Sequence, residues 1–153
     1  LHWRGLDKTR DCLRSLTAVS YPNFAVLLVA NGSDAGDTEA LKNEFPQIEI
    51  LSLDQNYGFA GGSNRGLKHA MERGADYVWL LNNDATVPTD TLTALVQIAV
   101  AQPSAGALGA LVVEGDEALK QEQTPSAAEV GVGAINYFKA KTYLRKLPYI
   151  GEA

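Results

Sequence analysis

Only one cysteine, Cys12, occurs among 153 residues. It cannot close an internal disulfide or build a thiolate metal cluster, so neither device holds this chain together. Long hydrophobic runs are also missing: none approaches the ~20 apolar residues that a bilayer span needs. Charge is sparse, at 20% of residues against 46% hydrophobic, a balance that excludes a disordered chain. Basic residues are the scarcer sign, 13 Lys+Arg against 18 Asp+Glu for a net charge of −5. That deficit argues against nucleic acid as a partner. The exception is residues 131–153, where Lys139, Lys141, Arg145 and Lys146 stand against Glu152 alone. This basic aromatic stretch, Tyr137 to Tyr149, reads either as a solvated face or as a surface for an anionic acceptor or the cytoplasmic leaflet. No leader segment is seen, which agrees with a cytoplasmic setting, and the chain opens on Leu1 rather than Met, which reads as a piece of a longer protein. What is present suffices for one buried core and is too short for two ordinary domains.

Four short apolar runs stand out: Ala25 to Ala30, Ile48 to Leu53, Tyr77 to Leu81 and Ala107 to Val113. Runs of this length read as buried strands. Between them lie segments of helical spacing, carried by Cys12, Leu13 and Leu16, by Leu41 and Phe45, by Leu67, Ala70 and Met71, and by Leu92, Leu95, Val96 and Ala99. Asp37 and Thr89 are placed to cap helix starts, Pro46 and Pro103 to close helix ends, and Gly74 to stop the third helix. Strands alternating with helices predict parallel β-α-β units, an α/β fold with a mostly parallel sheet and helices on both faces. The polar stretch 114–129 reads as a flexible loop, and Val130 to Phe138 regains strand-like character.

In an open parallel sheet, ligands bind beyond the carboxyl ends of the strands. Three polar segments would meet there: Asn31-Gly32-Ser33-Asp34, Asp54 to Asn64, and Asn82-Asn83-Asp84. The glycines of the second segment fit neither the dinucleotide fingerprint nor the P-loop, because Leu67 stands where a P-loop lysine should be. They either form a turn that lets a helix pack closely, or let the backbone at Gly61 and Gly62 approach a ligand while a helix from Ser63 onward aims its amides at an anion. Asp84 is open to two readings as well. Either it or Asn83 caps the turn into Thr86-Val87-Pro88, or Asp84 holds a hard divalent ion whose other ligands are phosphate oxygens and water.

Five motifs in order then carry a resemblance: His2-Trp3-Arg4-Gly5 with Cys12-Leu13-Arg14-Ser15-Leu16, Tyr21-Pro22-Asn23-Phe24, Val29-Ala30-Asn31-Gly32-Ser33, Asn56 to Gly66, and Asp76-Tyr77 leading to Asn82-Asn83-Asp84. Together, over residues 1–113, they resemble the family 2 glycosyltransferases, in particular a rhamnosyltransferase-like branch. The resemblance implies a GT-A fold, Rossmann-like and here truncated, with residues 1–153 as a single partial domain. It also implies transfer of a hexosyl or rhamnosyl group, with inversion, from a nucleotide-diphosphate sugar to a saccharide or lipid-linked saccharide acceptor. Cell-wall polysaccharide synthesis at the inner face of the membrane, with peripheral membrane contact, is the implied setting.

Carried over by residue, His2, Trp3 and Arg4 would lie at the base pocket, and Asn31, Gly32 and Ser33 would border the nucleoside. Asn56, Gly58, Phe59, Gly62 and Asn64 would line the donor. Asn82, Asn83 and Asp84 would form the D-x-D-type motif, with Asp84 as ligand to Mg²⁺ or Mn²⁺. Two departures accompany the resemblance. Ala30 stands where the family usually has a base-contacting aspartate, and no general base is assigned among Glu114, Asp116, Glu117, Glu122, Glu129 and Glu152. A non-catalytic nucleotide-sugar-binding relic is therefore the rival reading, and a nucleotidyltransferase the third. Of the remaining residues, Cys12 and Trp79 read as core, His69 as a solvated surface residue, and Trp3 as a base cover or a pocket wall.

Overall fold

The computed structural model describes residues 1–110 and the backbone of 143–146. Among the described residues the elements are, in order, α1 (Leu6–Thr17), β1 (Leu27–Asn31), α2 (Ala35–Glu44), β2 (Glu49–Leu53), α3 (Gly58–Glu72), β3 (Tyr77–Leu80), α4 (Thr91–Ala101), β4 (Leu108–Gly109) and β5 (Tyr143–Lys146). The expected α/β alternation is present. β1 and β2 pair in parallel, with Leu28 opposite Ile50, and His2 joins the other edge of β1 through a parallel bridge to Ala30.

Alternation along β1 separates two faces. On one, Leu28 packs with Leu13 of α1 and with Leu41, Phe45 and Ile48 in and after α2. Thr9, Cys12 and Leu13 are the buried positions of α1, a helical stripe, whereas Arg10 and Arg14 turn outward to Glu44 at 2.8 and 2.7 Å and tie α1 to the end of α2. On the opposite face, Val29 and Asn31 meet α3 at two glycines. A Cβ on Gly66 would lie 2.7 Å from Val29 Cγ2, and one on Gly62 would lie 3.0 Å from Asn31 Cγ. Helices thus cover both faces. A second core joins Leu95 and Ala99 of α4 to Leu108, Tyr77 and Trp79.

The helix ends correct two expectations. α2 is capped by Asp34, whose carboxylate accepts from Gly36 N, and not by Asp37, which sits in the first turn. α4 follows Asp90 rather than Thr89, and the Thr89 carbonyl instead accepts from Ser20 N at 2.8 Å. Pro46 and Pro103 do follow helix ends. Gly74 closes α3 with φ +83°, its N–H donating to Met71 O while Ala75 N donates to Ala70 O.

β5 lies between β3 and β4 and is antiparallel to both. The backbone of Tyr143–Lys146 pairs with β3 over all four residues and with β4 at Tyr143 and Leu144. The rest of the basic stretch, the expected loop 114–129, the strand-like run 130–138, and Leu111 to Val113 of the expected fourth strand lie outside the described residues.

Candidate functional site

Three loops border an open cleft of about 410 Å³ beyond the β1 and β3 ends, lined by Leu1, Trp3, Arg4, Asn31, Asn56, Gly58, Phe59, Asn82 and Asn83. Eight of these are residues that the sequence singled out. Trp3 is 45% and Phe59 61% exposed, and the Arg4 guanidinium lies 4.2 Å from the centre of the Trp3 ring. An exposed indole, an exposed phenyl and a cation in the lining can stack on a planar ring. The lining asparagines Asn56, Asn82 and Asn83 offer both donors and acceptors.

Within this set, position and hydrogen bonding separate walls from staples. Asn31 is 2% exposed, and its amide is fully engaged. Oδ1 accepts from Tyr57 N at 3.0 Å, and Nδ2 donates to Asn56 Oδ1 at 2.9 Å and Gly58 O at 3.1 Å. It fixes the loop before α3 to the end of β1. Asn56 Oδ1 also accepts from Gly58 N at 2.8 Å, turning the chain into the helix. Gly32, at φ +67°, lets two loops meet: an added Cβ would strike Asn56 N and lie 2.5 Å from Gln55 C. Ser33 Oγ donates to His2 O at 2.7 Å.

Other expected residues lie elsewhere. His2 is fully buried, with Nδ1 2.9 Å from Thr9 Oγ1 and Nε2 3.9 Å from Asp37, so its ring packs behind the cleft wall. Burial holds its pKa below the usual value, partly offset by Asp37. Gly61 and Gly62 are not in a loop, because α3 begins at Gly58 rather than Ser63. Gly62 approaches Asn31, not open cleft. Asn64 is exposed on α3 and absent from the lining. Ala30 and Ser33 border a second cavity of about 590 Å³ against α2, where Thr38, Glu39 and Lys42 add polar groups.

Asp84 follows Asn83 at the rim and is exposed. The turn there is closed by Ala85 N donating to Asn82 O at 3.2 Å. Among the described residues no cluster of three or more His, Cys, Asp or Glu could hold a metal ion. Asp84 offers a hard carboxylate at this rim, a donor that suits Mg²⁺ or Mn²⁺ when phosphate and water complete the shell. Cys12 is core, as expected: burial pushes its thiol up to about 11, and Sγ sits 3.6 Å from Asn82 O. His69 is not simply solvated, since Nε2 lies 2.7 Å from Glu49 Oε1.

Thr9 and Asp34 were missed. Thr9 carries no local signal beyond its place on the apolar stripe of α1. Asp34, three residues before Asp37, precedes Ala35-Gly36, which reads as loop rather than as a helix start.

Comparison with known proteins gives a consistent picture. The sequence model described as "Glycosyl transferase family 2" matches residues 4–150. An N-acetylglucosaminyl-diphospho-decaprenol L-rhamnosyltransferase of Mycobacterium tuberculosis (strain CDC 1551 / Oshkosh) is 29% identical over 133 residues, 80% of this chain and 43% of the relative. The same enzyme of strain ATCC 25618 / H37Rv matches equally. Among solved structures, the mannosyltransferase PcManGT from Pyrobaculum calidifontis, in complex with GDP-Man and Mn²⁺, superposes with a TM-score of 0.68 at 20% identity. That match covers 95% of this chain and 42% of the other. S. aureus TarS 1-349 gives a TM-score of 0.59 at 18% identity, over 69% of this chain and 32% of the other. These likenesses show the fold, part of a GT-A glycosyltransferase. The chain spans less than half the length of the curated relatives it matches.

Proposed function

The chain belongs to glycosyl transferase family 2, and from that premise we propose that the cleft binds the nucleotide-diphosphate sugar donor of an inverting glycosyltransferase. The observation that carries this reading is the meeting of Trp3, Arg4, Asn56, Phe59, Asn82 and Asn83 around one cleft at the strand ends. Trp3 and Phe59 supply stacking surface for the nucleobase or sugar ring. Arg4 and the N-terminus of α3, which opens on the cleft at Gly58 and Phe59, favour the diphosphate. Asn82 and Asn83 present amides to hydroxyl or phosphate oxygens.

The mannosyltransferase structure holds Mn²⁺ with its donor, and Asp84 is the residue that would hold a divalent cation here. Such an ion supplies Lewis-acid neutralisation of the charge on the departing nucleotide diphosphate. The chain's own part is to orient the donor and keep the diphosphate against Arg4, facing the cation that Asp84 would hold. We assign the acceptor to a saccharide or lipid-linked saccharide, the class named in the mycobacterial relative. Among the described residues no helix is long and apolar enough to cross a membrane.

A non-catalytic nucleotide-sugar binder is the second reading, favoured by Ala30, which is 2% exposed and offers no hydrogen-bonding side chain. Calorimetry on the full-length protein with UDP and dTDP, with and without Mn²⁺, tests the shared part: absence of binding to both refutes it. Asp84→Asn is expected to abolish the metal-dependent part of nucleotide affinity with the fold intact. Unchanged metal dependence removes Asp84 from the site. Sugar transfer by the full-length protein excludes the second reading.

A further inference from the structure

The two walls of the cleft come from distant parts of the chain, Trp3-Arg4 before α1 and Asn82 to Asp84 after β3. One buried side chain stands between them. Thr9 is 1% exposed and sits one turn into α1. Its hydroxyl lies 3.2 Å from Gly5 O, 2.9 Å from His2 Nδ1 and 2.8 Å from Asn83 Nδ2. A hydroxyl has one proton and two lone pairs. The carbonyl of Gly5 can only accept and the amide of Asn83 can only donate, so the proton goes to Gly5 and one lone pair to Asn83. With the proton given to Gly5 O, the remaining lone pair faces His2 and takes an N–H from Nδ1, the tautomer on which this arrangement depends. Every hydrogen-bonding capacity of the hydroxyl is used.

We propose that Thr9 is a positioning residue that fixes the Trp3-Arg4 wall against the Asn82 to Asp84 wall. Gly5 and His2 bracket Trp3 and Arg4, and both are tied to the same oxygen. Asn83 is tied to it from the other side and also reaches Arg4 O at 3.4 Å. The side chain touches no lining space itself, since it is absent from the cleft surface. It sets how far apart the stacking wall and the rim carboxylate of Asp84 stand. Replacing the hydroxyl by a methyl leaves the buried imidazole N–H without an acceptor and the half-buried Asn83 amide with Arg4 O alone in reach, and the loops relieve this by moving apart.

The inference rests on the reading of the cleft as a nucleotide site. Full-length wild type, Thr9→Val and Thr9→Ser are titrated with UDP and with dTDP in the presence of Mn²⁺, and the His2 ring is observed by ¹H–¹⁵N correlation spectroscopy. The wild-type ring is expected as the Nδ1–H tautomer. Thr9→Val is expected to lose that tautomer and to bind about tenfold more weakly, and Thr9→Ser to keep the tautomer and bind within about twofold. Wild-type affinity in Thr9→Val, equal losses in both variants, or an Nε2–H tautomer in the wild type overturns the proposal. The wild-type tautomer and the serine variant decide it even where Thr9→Val does not fold. Failure of the wild type to bind either nucleotide is a separate result that overturns the nucleotide reading and this proposal with it.

Discussion

Asn31→Asp is the sharpest test of the stapled loop, because it changes one group and no volume. In the wild type the amide orientation is settled by its partners: Tyr57 N can only donate, so Oδ1 faces it, and Gly58 O can only accept, so Nδ2 faces it. An aspartate keeps the bond to Tyr57 N. Its second oxygen then confronts two acceptors, Gly58 O and Asn56 Oδ1, at the places where the amide donated at 3.1 and 2.9 Å. Two hydrogen bonds are lost and a carboxylate is left at a site 2% exposed, a cost of about 3–5 kcal/mol at neutral pH. Asn31→Ala, which removes the amide without adding charge, should cost about 2–3 kcal/mol. Burial and two facing oxygens raise the folded-state pKa of the introduced carboxyl above its unfolded value of about 3.9. The penalty is then small below that value, where the protonated acid donates one bond, and grows as pH rises through the folded pKa. Urea denaturation of the full-length variant should show a midpoint at pH 7 lower by about 1 M or more, and a smaller deficit near pH 4. A wild-type midpoint at pH 7, or a larger deficit at pH 4 than at pH 7, would refute the hydrogen-bond assignment.

Gly66→Ala sets propensity against packing. Alanine favours a helix by about 1 kcal/mol over glycine, but the new Cβ would sit 2.7 Å from Val29 Cγ2, a β-branched group on a buried strand, so thermal melting should show a net loss of about 1–2 kcal/mol. A raised melting temperature would mean that α3 lies farther from β1. Glu49 makes the acid-side prediction: the hydrogen bond from His69 and the charge of Arg73 hold its carboxyl below the usual carboxylate range. Its contribution is present above the unfolded pKa of about 4.3 and is lost as pH falls through the lower, folded one. The stability gap between wild type and Glu49→Gln should therefore be widest above pH ~5 and close toward acid, and a gap that widens on acidification would contradict the contact.

Local pattern carried the elements whose partners are close in sequence. β1, β2 and β3 were legible as short apolar runs, and their ends are displaced by no more than two residues. β5 was not legible, since Tyr143–Lys146 owes its strand state to pairing with Leu80 and Tyr77 far earlier in the chain. The start of α3 was misplaced for a different reason. Gly58, Gly61 and Gly62 are poor helix formers, so they read as loop. The helix forms there because glycine lets it lie against Asn31 and Val29, a gain that belongs to tertiary contact. Glycine reports that something comes close without saying whether the visitor is a ligand or the protein itself.

The same ambiguity governs the asparagines, and charge shows what it implies for the site. Eight expected residues do share one cleft, because strand-end loops must converge whatever their contents. Yet Asn31 spends its amide on the protein, and among the described residues Arg4 is the one charged side chain in the lining. A single guanidinium cannot neutralise a diphosphate. Under the donor-binding reading, the balance falls to the dipole of α3 and to a cation at Asp84, both of which act only at fixed distance and direction. A site that neutralises its ligand with dipoles must hold its loops more rigidly than one that does so with flexible lysines. Thr9 and Asn31, polar and buried behind opposite parts of the cleft, give that rigidity without touching the space they shape.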